Sequence, residues 1–288
     1  MTDQNFDGSN YKAGQKVQWD AVAEAWRKWW PEIERGAQVA SNALADAIGA
    51  GPGQRILDVS TGIGEPAVTL SKRVGADGSI LATDQSAGML AVASERIASE
   101  GLSNIELVQV DTEELDLPEN EFDGAVCRWG LMFLPDVQAG LQAIRRSLKP
   151  GAKFATTVWG TPPQTPMFSL PMAVAQQVLD PAPPTPPADA PNIFLLGAPG
   201  VLQSAFSAVG FNDVGGSDLQ INFDLDSPRS FADFLGDIAP GIHAILSGRS
   251  TSEIEKFWNA VVTKAENLVD ENGAFSIPGT APFAVGTK

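Results

Sequence analysis

One cysteine, one histidine and one tyrosine occur in 288 residues. The single cysteine, Cys127, excludes a disulfide framework within the chain and a multi-cysteine metal site. It lies in an apolar, strand-like run and reads as a buried, inert thiol. No run of about 18 apolar residues is present, so no segment reads as a membrane span. The first ten residues, MTDQNFDGSN, are polar and lack an apolar signal region. Positive charge is scarce: 19 Lys and Arg stand against 35 Asp and Glu, a net charge of −16. That balance disfavours nucleic acid and anionic lipid. The one local group of cations, Arg145, Arg146 and Lys149, closes a helix, where the dipole favours positive charge. The expectation is a soluble cytoplasmic protein acting on a small molecule, with no nucleic-acid, membrane or metal partner. Its oligomeric state stays open.

What is present is organised around residues 55–70, RILDVSTGIGEPAVTL. An apolar strand runs to Val59, a turn holds Gly62 and Gly64, and a helix starts near Pro66. Glycine accepts positive φ and lets a ligand lie against the backbone. Pro66 suits a first helical turn. A strand, a glycine turn and a helix start together read as a nucleotide-type site at the carboxyl end of the first strand of an α/β sheet.

The spacing Gly62-x-Gly64-x-x-Ala67 fits a dinucleotide fingerprint. The charges argue otherwise. A pyrophosphate is drawn to the helix N-terminus, yet Glu65 occupies that end and Asp58 precedes the turn. Two carboxylates repel a phosphate at close range. They suit a cationic ligand without phosphate, such as S-adenosylmethionine (SAM).

This stretch resembles motif I of the class I SAM-dependent methyltransferases. The segments ILATDQSAGML, VQVDTEELDLPENEFDGAVCRWGLMFLPD and LKPGAKF resemble the rest of that family's core, in order. The nearest flavour is the ubiquinone/menaquinone C-methyltransferase-like group, over residues 54–159. Ser60 departs from the pattern, since many members carry glycine there. The resemblance implies a Rossmann-like class I methyltransferase fold: an α/β architecture with a seven-stranded, mostly parallel sheet, helices on both faces and a helical and loop cap.

Patterning agrees with that layout. Alternating strands and helices predict a parallel sheet with crossovers. Strands are expected at 79–84, 105–111, 122–129, 153–159, 214–223 and 281–288, and helices at 86–100, 136–148, 199–209, 227–239 and 251–271. Residues 1–15 read as a flexible polar arm and 16–50 as lid helices broken near Pro31. Residues 51–160 form the SAM-binding core. Residues 161–198 are a proline-rich cap insertion around a short helix at 170–179, and 199–288 complete the sheet with a helical insertion at 227–272.

The candidate cofactor residues follow. Asp58, Ser60, Thr61, Gly62 and Gly64 make the turn. Asp84 ends strand two, where a carboxylate accepts from both ribose hydroxyls. Gln85 and Met89 flank the adenosine, Met89 either packing an adenine face or filling core. The resemblance implies that Asp111 accepts from the adenine amino group, with Thr112 beside it. It also implies that the backbone near Trp129 receives the methionine ammonium. Arg128 anchors a carboxylate of cofactor or substrate, or Asp58, or makes a structural ion pair. Trp26, Phe133 and Trp159 are candidates for an apolar acceptor pocket. His243, the only histidine, is the candidate general base, against a structural role. Tyr11 either covers the methyl or belongs to the arm.

The favoured reading is a SAM-dependent methyltransferase acting on a small organic acceptor at oxygen, nitrogen or carbon, with S-adenosylhomocysteine (SAH) as product. The alternatives are an NAD(P)-dependent oxidoreductase using the glycine turn, and a non-catalytic SAM-binding module.

Overall fold

Two helices precede every strand in the computed structural model, which describes residues 6–184 and 190–288. α1 (Gly8–Lys28) is capped by Asp7, whose carboxylate accepts from the N–H groups of Ser9 and Asn10. Residues 8–15, expected within the polar arm, are therefore the first two turns of α1. Residues 1–5 of that arm lie outside the described residues. α2 (Trp30–Ala47) follows at once, with Pro31 in its first turn, where the missing N–H is not needed. The expected break is at Trp29.

The core then alternates. β1 (Arg55–Val59), α3 (Ala67–Val74), β2 (Ser79–Asp84), α4 (Ala87–Ser99), β3 (Ile105–Gln109), β4 (Phe122–Arg128), α5 (Val137–Ser147) and β5 (Leu148–Thr157) follow in chain order. Ser86 and Asp136 cap α4 and α5 through bonds from Met89 N and Ala139 N, as their sequence positions predict. α6 (Pro166–Val178), α7 (Val201–Ala208), β6 (Asn212–Leu225), α8 (Pro228–Ile238), α9 (Pro240–Leu246), α10 (Thr251–Ala265) and β7 (Phe275–Thr287) complete the chain.

The sheet has seven strands in the order β3-β2-β1-β4-β5-β7-β6. β1 to β5 pair in parallel, and β7 runs antiparallel to both β5 and β6. Successive side chains alternate between two apolar layers. Ile56, Ile80 and Val126 pack with α2 and α3 on one face. Leu57, Leu81, Ala125 and Phe154 join the layer that includes α5 and α7 on the other.

Several boundaries differ from the patterning. β7 starts at Phe275 rather than 281, because its first part pairs with β6 alone. A single strand partner leaves one edge open, and Pro278 is tolerated there. α6 starts at Pro166 and runs through Pro171, since burial of Met167, Val174 and Ala175 outweighs the lost backbone bond. α9 was not expected. Its Pro240 supplies an N-terminal start signal close behind α8. α10 stops at Ala265, short of the expected 271. Residues 185–189 of the proline-rich insertion lie outside the described residues.

The cap draws on three parts of the chain. α6 packs on α10, α8 packs on α1, and α2 crosses β6. At that crossing Gly36 is required, because a Cβ there would stand 2.7 Å from Asn222 O.

Candidate functional site

The carboxyl ends of β1, β2 and β4 meet at the glycine turn. Ser60 and Gly62 both take positive φ, 56° and 57°. The Gly62 N–H donates to Asp84 Oδ2 at 2.9 Å, and the Ser86 N–H donates to Asp84 Oδ1 at 2.9 Å. The Thr61 N–H donates to Thr83 O, tying the turn to β2. A Cβ on Gly62 would meet nothing within 4 Å, so its outer face is open to a ligand. Burial pushes the Asp84 carboxyl up to about 6, against the Ser86 and Gly62 donors.

Asp58 lies fully buried beneath this turn. Its Oδ2 accepts from the Thr61 hydroxyl at 2.6 Å, while its Oδ1 has no partner. Burial pushes its carboxyl up to about 7, with Thr61 and Arg128 opposing. Thr61 thus supports the turn through Asp58.

The loop after β4 closes the other side. Trp129 takes φ 58° and stacks on Trp159 at 4.5 Å, 8° from parallel. Gly130 lies against Ser60, where an added Cβ would come within 2.5 Å of Ser60 Cβ. Ser60 Oγ and Thr112 Oγ1 are 3.3 Å apart. The serine at the family's glycine position therefore fits by sitting in the left-handed region beside a glycine. Non-glycine residues held there cluster at functional sites.

Arg128 does not stand open to a ligand. Its Nη2 and Nη1 donate to Glu34 at 3.0 and 3.2 Å, and Nη1 also donates to Ser41 Oγ at 2.9 Å. Of the alternatives for this residue, the structural ion pair is the one seen, because α2 brings Glu34 over the end of β4. Glu65 also differs from expectation. It is buried, and Arg96 Nη2 donates to its Oε1 at 2.9 Å. Its charge is matched within the protein, so the repulsion of phosphate rests on Asp58. Burial would raise the Glu34 carboxyl, but Arg128 and Arg96 hold it below the ordinary range.

α1 lies over the residues that follow β2 and β3. Lys12 Nζ stands 2.9 Å from Asp111 Oδ2 and 3.1 Å from Glu113 Oε2. Asp20 Oδ1 accepts from the Ser86 hydroxyl at 2.6 Å and the Gly88 N–H at 2.9 Å. Met89 is buried in a cluster with Val22, Ala23, Ile63 and Trp19, so it serves the α1–α4 contact. Gln85 is half-buried, and its carbonyl accepts from Gln109. Asp111 caps the turn at Thr112 by accepting from the Glu113 N–H. Tyr11 sits in α1, and burial pushes its phenol up to about 12.

The acceptor-side candidates separate. Phe133 meets Trp19 edge-on at 5.4 Å, and Trp159 is buried against Trp129 and Phe168. Trp26 instead donates its indole N–H to Ile238 O at 2.9 Å, which ties α1 to α8. His243 is exposed on α9, with Nε2 2.6 Å from Gly236 O, a contact that fits the structural role. Cys127 is buried, and burial, with Asp58 nearby, pushes its thiol up to about 12. No cluster of His, Cys, Asp or Glu among the described residues could hold a metal. No helix among them is long and apolar enough to cross a membrane. Lys12, Asp20, Glu34 and Arg96 carried no local motif. Each acts across helix packing.

Residues 38–179 match the model of the ubiE/COQ5 methyltransferase family. A Stenotrophomonas maltophilia ubiquinone/menaquinone biosynthesis C-methyltransferase UbiE is 40% identical over 103 residues, 35% of this chain and 41% of the relative. The same-named protein of Coxiella burnetii is 35% identical over 128 residues, 44% of this chain and 51% of the relative. The chain thus spans about half or less of these relatives' length. Among solved structures, Haemonchus contortus phosphoethanolamine N-methyltransferase 2, in complex with SAM, superposes with a TM-score of 0.60 at 20% identity. That match covers 100% of this chain and 61% of the other, and shows the shared fold. Residues 38–179 thus resemble that methyltransferase family, and the chain as a whole has the Rossmann-like seven-stranded sheet of class I methyltransferases.

Proposed function

We propose that this protein binds SAM at the glycine turn and transfers its methyl group to a small organic acceptor. The observation that carries the reading is the open face of Gly62, its N–H held by the strand-end carboxylate of Asp84, above the buried Asp58. The residues fit the cofactor. The turn offers backbone where a ligand can approach, and Asp58 keeps one carboxylate oxygen unpartnered.

Asp84 would accept from the ribose hydroxyls and Asp111 from the adenine amino group. Gln85, Met89 and Thr112 would shape that end. Ser60, Thr61, Gly62, Gly64 and Trp129 would line the methionine part, and Arg128 would act from behind, through Glu34. SAM supplies a methyl already activated on a sulfonium. The protein's part is to align donor and acceptor and to exclude water. The stacked Trp129 and Trp159, with Phe133, would form the apolar side that meets the acceptor. The net charge of −16 supports a cytoplasmic enzyme without nucleic-acid or membrane partners.

Calorimetry with SAM, SAH and NAD tests the cofactor. Micromolar binding of SAM and SAH is expected, at least tenfold weaker in Asp84→Ala. Binding of NAD alone would select the oxidoreductase reading. Transfer of labelled methyl from SAM into a metabolite extract then tests turnover. SAM binding with no labelled product from any extract would leave a binding module.

A further inference from the structure

Five buried ionisable side chains lie together behind the glycine turn: Glu34, Asp58, Glu65, Arg96 and Arg128. Glu34 and Arg128 pair at 3.0 Å, and Arg96 pairs with Glu65 at 2.9 Å and with Glu34 at 3.6 Å. The two guanidinium charges are thus matched by two carboxylates. Asp58 is the remainder. Its Oδ2 accepts from the Thr61 hydroxyl, the Ala67 N–H at the start of α3 favours its ionised form, and its Oδ1, like Glu65 Oε2, has no hydrogen-bond partner. An unmatched carboxylate in a dry site is costly when ionised. A positive charge arriving above the turn is the natural counter-ion.

The geometry points to Asp58 as a charge sensor for the cofactor, which gives up its proton when the sulfonium of SAM binds and keeps it when neutral-sulfur SAH binds. The inference rests on the SAM reading above. SAM and SAH share the methionine ammonium and carboxylate and differ by one methyl and the positive charge on sulfur, so only a group that answers to the sulfonium discriminates substrate from product. Arg128 and Cys127 face Asp58 from β4, Glu65 and Thr61 from the turn and the Ala67 N–H from α3, while Glu34 from α2 acts through Arg128. None is a cation free to pair with Asp58, because Arg128 is committed to Glu34. The carboxyl, pushed up to about 7 by burial, titrates where the effect can be read.

The consequence is a proton linked to the cofactor's charge. At neutral pH the protonated site disfavours SAM relative to SAH, and the ionised site favours it. The ratio of SAM to SAH affinity therefore rises with pH and levels off above the Asp58 titration.

Calorimetry at pH 7 in two buffers of different ionisation enthalpy counts the protons. With SAM, wild type is expected to release about half a proton more than Asp58→Asn. With SAH the two proteins are expected to match. The comparison cancels titration of the ligand's own amino group. Equal release by both ligands overturns the inference, as does release that persists in Asp58→Asn, which would assign the proton to Glu65. A second measurement needs no variant. Between pH 7 and 5.5, wild-type affinity for SAM is expected to weaken relative to SAH, approaching about tenfold per pH unit. A constant ratio sinks the sensor. If neither ligand binds at all, the SAM reading itself fails, which is a separate outcome.

Discussion

Glu34 Oε1 stands 3.0 Å from Arg128 Nη2, so the helix laid over the sheet and the strand that ends at the site share one buried ion pair. Removing one partner leaves a buried charge uncompensated. Glu34→Gln is expected to destabilise the fold by about 3–5 kcal/mol. Urea unfolding followed by tryptophan fluorescence measures it, and a loss under about 1 kcal/mol would show the pair to be solvated.

Ser60 and Gly130 are packed against each other beside the glycine turn. Gly130→Ala is expected to cost about 1–3 kcal/mol through overpacking. In a Ser60→Gly background part of that cost should vanish, because the nearest clashing atom is gone, though Cys127 Sγ remains 2.7 Å from the added Cβ. A double-mutant cycle reads the coupling. Strict additivity would refute the contact.

Asp58 also governs acid stability. Its folded value, about 7, lies above its ordinary value of 3.8, so the folded state holds a proton that the unfolded chain sheds. The stabilisation is full below pH 4 and is lost as pH rises through 7. The total is roughly 4 kcal/mol. Chemical denaturation of the ligand-free protein at pH 5 and pH 8 should show a fall that Asp58→Asn flattens. A difference between the two proteins that is the same at both pH values would contradict this.

Lys12 anchors the start of α1 on Asp111 and Glu113. Lys12→Met is expected to raise amide exchange over Tyr11–Trp19 while leaving the β1 and β4 amides protected. Unchanged exchange there would mean that the aromatic contacts alone hold the helix.

His243 is exposed on α9, with Nε2 2.6 Å from Gly236 O. His243→Ala is expected to leave turnover at saturating SAM within about twofold of wild type. A loss of tenfold or more (about 1.4 kcal/mol) would return it to the mechanism.

The parts of the site that were legible in the sequence are local ones. The turn at Gly62 needs positive φ, Asp84 ends a strand, and Ser86 and Asp136 cap helices through bonds that each span three residues. Alternation of strands and helices predicts that β1 to β5 run parallel, since crossover connections leave few choices, but not their order in the sheet. Glu65 was misread because its partner, Arg96, lies 31 positions away on another helix. Pattern could not show that the charge at the helix start was already neutralised. The Trp26 indole bond to Ile238 O, across 212 positions, is likewise invisible to local pattern.

The sequence alone determined the glycine bend, the aspartate that ends β2 and the alternation that stacks one sheet between helices, because each depends on backbone allowances and periodicity within a few residues; β3 stops at Gln109, so Asp111 caps the following turn instead of ending the strand. Only the tertiary structure decided which charges cancel and which are left over. Arg128 goes to Glu34, Arg96 goes to Glu65, and Asp58 remains without a cation, because that sorting depends on where α2 and α4 settle against the sheet.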